Sequence, residues 1–188
     1  MAPLWAAAGV WVAWAVSWGL AAAWSKPTAE RPGLGAELPY RAATAVGALL
    51  LFGGARFRWI DRLWLTPPAL GWVLVGLTAA GFAFCWWARL YLGGNWSSSV
   101  TRKEGHKIVD TGPYALVRHP IYTGLILAAA AVAVLAGTAA SLAGAAVLAF
   151  GCWIKARLEE RFLRRSLGEA AYDAYARRTA MLIPFLRV

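Results

Sequence analysis

The sequence predicts an all-α integral membrane protein with about five transmembrane helices, the last two a helical hairpin, and a polar cap on the cytoplasmic side. Three observations lead there. The 188-residue chain is 60% hydrophobic and carries 12 Trp, with a mean hydropathy of +0.53. No charged side chain falls between Met1 and Lys26, or between Arg62 and Arg89. A third uncharged run extends from Pro120 to Ile154 and has a dense polar knot at each end.

Leu4 to Trp24 supplies the roughly 20 apolar residues that cross a bilayer. It lacks the basic leader and cleavage site of a signal peptide, so it is expected to remain as the first span. Only 14 residues separate Arg41 from Arg56. A second span must therefore borrow flanks such as Leu38 and Phe57, with the arginines reaching to the interface. The third span is expected over Pro68 to Ala88. The run from Pro120 to Ile154 is too long for one helix. Gly137-Thr138 near its middle divides it into Ile121 to Ala136 and Ala139 to Ile154, and Gly124, Gly144 and many Ala residues suit close helix approach.

Basic residues set the expected orientation. With the N-terminus outside, sixteen Lys and Arg fall on the inner side and three, Arg56, Arg58 and Arg62, on the outer. The asymmetry favours a cytoplasmic C-terminus, in a bacterial-type inner or plasma membrane. A net charge of +10 and a pI near 10.3 are carried by loops flanking apolar spans. Anionic lipid headgroups, not nucleic acid, are the expected partner. Cys85 and Cys152 fall inside expected spans and read as small apolar core residues, not as a disulfide framework or metal ligands.

The polar knots carry the chemistry. The first is Arg118-His119-Pro120-Ile121-Tyr122-Thr123-Gly124. Pro120 suits the first position of a helix, whose free amides favour an anion, and Tyr122 shares a helix face with His119. The second is Lys155-Ala156-Arg157-Leu158-Glu159-Glu160. Neighbouring Glu159 and Glu160 point about 100° apart on a helix, so one is expected to face a site and the other water. Between Arg89 and Pro120 runs a Gly-, Asn- and Ser-rich connector. It holds Lys107-Ile108-Val109, a short extended piece whose amides can pair with a purine edge.

Arg118-His119-Pro120-x-Tyr122-x-Gly124, followed by an apolar hairpin, Glu159-Glu160-x-x-Leu163, Gly168-Glu169-x-x-Tyr172-x-x-Tyr175 and Ile183-Pro184-Phe185, resembles the isoprenylcysteine carboxyl methyltransferase family, with the phospholipid methyltransferases as its wider circle. The resemblance runs from about Gly93 to the C-terminus. It implies N-terminal membrane helices over 1–92 and a methyltransferase region over 93–188, using S-adenosylmethionine to methylate a small lipophilic or membrane-embedded acceptor. Its cofactor positions are His106, Lys107, Ile108, Val109, Tyr114, His119, Pro120, Ile121, Tyr122 and Glu159. The catalytic residues expected are Lys155 and Arg118. The family places an Arg four residues before the first Glu to hold the substrate carboxylate. Here that position is Lys155, which lacks the bidentate fork, so low activity on a prenylcysteine acid is expected. No metal is implied. Two other readings fit the same half of the chain: an NADPH-dependent membrane reductase, and a non-catalytic membrane module of the same fold.

Overall fold

The computed structural model describes residues 1–25, 28–30, 33–53, 62–97, 102–103 and 108–186. Five long helices form a bundle: α1 (Ala2–Leu20), α2 (Leu34–Gly53), α3 (Pro68–Leu92), α5 (Pro120–Ala136) and α6 (Ala139–Leu167). Two short helices, α4 (Pro113–Leu116) and α7 (Glu169–Arg178), two 3-10 turns, Ala21–Trp24 and Gly93–Asn95, and one strand pair, β1 (Thr28–Glu30) with β2 (Arg102–Lys103), complete the described elements. Among the described residues, three helical stretches are long and apolar enough to cross a membrane: Ala2–Trp24, Pro68–Leu92 and Ala139–Ser166. Helix α5 is apolar but has 17 residues, and α2 carries Glu37 in its first turn. The expected use of Phe57 by the second span lies outside the described residues.

The chain sorts its loops to two ends. The antiparallel β1–β2 pair joins the α1–α2 loop to the connector after α3. At the opposite end Arg62 bridges Thr138, and the backbone N–H of Leu63 donates to Gly137 O at 2.8 Å. The α5–α6 turn needs Gly137, because its φ of +65° is left-handed and a Cβ there would sit 2.6 Å from Trp64 O. Thr138 then caps α6 by accepting from Ser141 N at 3.1 Å.

Helices α5 and α6 pack on one another as a hairpin, but the glycines expected in that seam face other helices. Gly124 of α5 lies against Gly81 and Cys85 of α3, and Gly144 of α6 lies against Gly47 and Leu51 of α2. The small residues thus seat α3 on α5 and α2 on α6. Without water between helices to drive burial, backbone approach is what small residues supply, and they supply it to partners distant in sequence. Helix α1 joins through aromatics, with Trp14 stacked on Phe82 of α3 at a centroid distance of 4.6 Å.

Helix α6 also runs beyond its expected end at Ile154. Lys155 to Leu167 contains only residues compatible with a helix, and the first breaker is Gly168 at φ +97°. Its 29 residues span roughly 43 Å at 1.5 Å each, against a hydrocarbon core of about 30 Å. The last turns therefore project from the bundle at the connector end and carry Glu159 and Glu160 with them.

Candidate functional site

At the connector end, Gly112 turns the chain at φ +57° with its α-carbon against the Tyr91 ring, and α4 follows. Val117 then pairs in parallel with Ala180. The N–H groups of Arg118 and His119 donate to Ala180 O at 2.8 Å and Met181 O at 3.1 Å. Thr123 Oγ1 donates to Leu182 O at 2.6 Å. The segment after α7 is thus a strap across the start of α5. Tyr175 of α7 tightens it, its hydroxyl donating to Tyr114 O at 2.8 Å.

Within that frame the two polar knots meet. Arg118 Nε donates to Glu160 Oε1 at 2.6 Å, and both side chains are nearly buried. Its Nη1 donates to Ala176 O at 3.0 Å and also to Thr179 O, where a cation complements the carbonyl end of α7. His119 lies between the two carboxylates, with Nδ1 3.5 Å from Glu159 Oε2 and Nε2 3.2 Å from Glu160 Oε1. Its ring stacks on Tyr122 at 5.4 Å and 9°. The Tyr122 hydroxyl donates to Glu159 Oε1 at 2.7 Å. Burial lowers the pKa of His119, but the hydrogen bonds and charges of Glu159 and Glu160 outweigh it and raise the imidazole above its ordinary value.

Glu160 does not face water. Its side chain is 13% exposed and bound to Arg118 and His119. The two carboxylates do diverge on α6, but the imidazole lies in the gap between them, so adjacent glutamates grip opposite edges of one ring. Arg118, expected to be catalytic, spends its guanidinium on Glu160 and the carbonyls of α7.

Of the remaining expected residues, Tyr114 is buried, and burial with the nearby Glu159 charge raises its phenol pKa. Pro120 opens α5 and is buried. Ile121 packs toward Phe82, Cys85 and Ala128, and its carbonyl accepts from Cys85 Sγ at 3.2 Å. Ile108 and Val109 are half-buried in the connector. His106 and Lys107 lie outside the described residues.

Beside the cluster is a cavity of about 280 Å³, lined by Tyr40, Arg41 and Thr44 of α2, Tyr122 and Leu125 of α5, and Cys152 and Lys155 of α6. Lys155 Nζ lies 5.3 Å from the Tyr40 ring centre and 5.4 Å from that of Tyr122. Tyr122 is therefore common to both places, holding Glu159 with its hydroxyl and walling the cavity with its ring. Nothing in the sequence reading placed Tyr40 or Thr44 here, and Arg41 was read as an interfacial anchor. The signal for α2 was Glu37 four residues before Arg41 at the start of an apolar helix, a charge pair at a depth where charge is costly.

The chemistry of this donor set fits S-adenosylmethionine. Arg118 and Glu160 offset one another, and Glu159, held by Tyr122 and His119, is the carboxylate placed to meet the amine or ribose hydroxyls of that ligand. Among the described residues, no three His, Cys, Asp or Glu side chains are arranged to hold a metal ion.

Comparison with known proteins agrees with the motif reading. Residues 74–164 match the family model for the isoprenylcysteine carboxyl methyltransferase (ICMT) family. The chain is 36% identical over 147 residues to the cobalt-zinc-cadmium resistance protein CzcN of Cupriavidus metallidurans, a stretch covering 76% of this chain and 60% of that relative. It is 30% identical over 149 residues to the nickel-cobalt-cadmium resistance protein NccN of Alcaligenes xylosoxydans xylosoxydans, covering 78% and 63%. Protein-S-isoprenylcysteine O-methyltransferase B of Arabidopsis thaliana is 26% identical over 145 residues, covering 75% and 68%. The match thus spans under two thirds of the two resistance proteins.

Proposed function

Through residues 74–164 the chain belongs to the isoprenylcysteine carboxyl methyltransferase family, and from that premise we propose that this integral membrane protein is an S-adenosylmethionine-dependent methyltransferase acting on a lipophilic acceptor. One observation carries the proposal: Tyr122 joins the His119–Glu159 cluster to a cavity that reaches among the apolar faces of α2, α5 and α6. A polar cofactor and an apolar acceptor then have adjoining seats, the first at the bundle end and the second between helices.

The cofactor supplies a methyl group already activated on a sulfonium. What remains for the protein is to align the acceptor and exclude water. Glu159, oriented by Tyr122 and His119, accepts hydrogen bonds from the cofactor's amine or ribose hydroxyls. Tyr114 and the Ile108–Val109 backbone would hold the adenine. Arg118, which touches Glu160 and the strap, is a positioning residue. Lys155, between the rings of Tyr40 and Tyr122, faces the acceptor. In this reading five helices span the bilayer, with 1–92 as a membrane scaffold and 93–188 as the catalytic region. The connector and C-terminus are cytoplasmic, as the sixteen-to-three basic asymmetry favours.

Calorimetric titration of the detergent-solubilised protein with S-adenosylhomocysteine, and with NADPH as the contrasting ligand, tests this. Saturable binding of S-adenosylhomocysteine alone is expected. Binding of NADPH alone, or of neither, overturns the proposal.

A further inference from the structure

The strap that follows α7 runs toward the membrane. Ala180 O, Met181 O and Leu182 O accept in turn from Arg118 N, His119 N and Thr123 Oγ1. The segment therefore follows the chain from the polar cluster into the first turn of α5. Helix α3 fixes the depth of that turn. Ile121 O accepts from Cys85 Sγ at 3.2 Å, and Gly124 lies against Gly81 and Cys85, so Thr123 between them is level with Cys85. Cys85 stands seven residues, about 10 Å, before Leu92 at the end of α3. The 25 residues of α3 measure roughly 37 Å, against a hydrocarbon core of about 30 Å. Even with the whole excess placed at this end, Cys85 and the strap beside Thr123 sit at hydrocarbon depth.

The strap then turns on itself where it is most apolar. Leu186 N donates to Ile183 O at 3.1 Å, closing a turn with Pro184 and Phe185 at its corners. Phe185 has φ +69°, and among the described residues it is the one non-glycine with a positive φ. Proline at the second position and a positive φ at the third make the type II pattern, in which glycine is the unstrained third residue. This chain places a phenyl ring there and leaves it 93% exposed, with Ile183 and Leu186 at 59% and 53%. A strained residue that touches almost nothing in its own protein is not kept for packing within it. The backbone suits the same surroundings. Four successive carbonyls, from Ala180 to Ile183, accept hydrogen bonds within the protein, and Pro184 has no N–H to leave unpaired. An irregular segment beside lipid must keep its main-chain groups paired, and this one largely does.

We propose that the turn 183–186 is a lipid-inserted foot. Its Phe185 ring lies among the upper acyl chains of the leaflet at the connector end, as apolar residues of interfacial segments do, and it holds the strap against Arg118 and His119. The inference rests on the bundle crossing a bilayer and not on the methyl-transfer reading. The partner is the acyl layer because the hydrogen bonds to Arg118, His119 and Thr123 carry the turn down to that depth.

The test uses the whole protein in nanodiscs of mixed anionic and zwitterionic phospholipid. Phe185→Cys, Leu186→Cys and Ala174→Cys, the last exposed on α7, are spin-labelled one at a time. Cys85 and Cys152 are buried, and wild type treated alike supplies the background. At positions 185 and 186, collisions with oxygen, which concentrates in acyl chains, are expected to exceed those with a water-soluble nickel chelate. The order is expected to reverse at position 174. Nickel collisions in excess at 185 and 186 would place the turn in water, and low rates with both reagents would place it under a protein partner; either result overturns the foot. Amide hydrogen exchange at Arg118 and His119 reads the hold on the strap separately. Phe185→Asp puts a charge where lipid excludes it and is expected to speed exchange there at least about tenfold, whereas Phe185→Leu stays within about twofold of wild type. Unchanged exchange in Phe185→Asp overturns the hold. Should Phe185→Asp fail to fold, Phe185→Ser decides in the same way.

Discussion

The two halves of this molecule announce themselves in opposite ways. From Tyr114 to Leu182 the polar side chains of the candidate site come in ordered blocks, and the fold closes those blocks on one another through Arg118–Glu160, His119 between two glutamates, Tyr122–Glu159 and the strap after α7. In the N-terminal half the chain reads as apolar spans punctuated by a few charges. Yet α2 contributes Tyr40, Arg41 and Thr44 to the cavity, nearly half of its lining. The difference teaches that motif density marks where polar groups must be paired within a short stretch. A half that lends isolated residues from one helix to a shared pocket leaves almost no linear signature.

Four predictions sharpen or break that contrast. The largest effect is expected at Arg118. Its replacement by Ala leaves Glu160 buried without its cation, and breaking a buried pair costs about 3–5 kcal/mol. A Tm drop in detergent, shared by Glu160→Ala, is the expected outcome; unchanged melting for both would mean that the cluster does not hold the C-terminal half together. Next comes helix contact in the opposite half. Gly47→Leu forces atoms into the backbone of α6, where even a Cβ would lie 2.6 Å from Leu148 N, and overpacking costs about 1–3 kcal/mol. Gly76→Leu on α3 meets nothing within 4 Å and is expected to melt with wild type. Equal Tm values for the two variants would contradict the α2–α6 seam.

The third prediction separates the two glutamates by readout. Glu159→Gln is expected to weaken S-adenosylhomocysteine at least tenfold, about 1.4 kcal/mol, with little change in Tm. Glu160→Gln is expected to act mainly on stability. A calorimetric loss equal in both would merge their roles. The smallest effect is a pH dependence. Because His119 has a raised pKa in the fold, the stability it confers is fully present below its ordinary value of about 6.5 and declines as pH rises through the higher folded value. Wild-type Tm should therefore fall over that upper window, and His119→Asn should flatten the slope. A wild-type slope of the opposite sign would show that burial, not the two carboxylates, governs the imidazole.

Much of the site was legible because its residue types are expensive where they stand. Charge spacing marked the two polar knots flanking an uncharged run, and the family resemblance singled out His119, Tyr122 and Glu159 within them. Glu160 was misassigned for a geometric reason. Helical spacing gives the angle between neighbouring side chains, but not what fills the space between them, and here an imidazole fills it. The Gly124 and Gly144 contacts were misassigned similarly: small residues predict close approach without naming the partner.

Composition and charge spacing by themselves determined that this is an integral membrane protein of apolar helices, where a breaker at Gly137-Thr138 must fall, and which residue types gather at one end. Those are local properties, set by the cost of charge in lipid and by backbone preferences over a few residues. Only the tertiary structure decided that α2 lies on α6 and α3 on α5, that Glu160 turns inward, and that Arg41 and Lys155 share a cavity. Each of those outcomes depends on pairing residues far apart in the chain, where several apolar helices with small faces would pack about equally well. The choice is made by backbone fit and by the burial of a few ion pairs, and neither can be read along one segment.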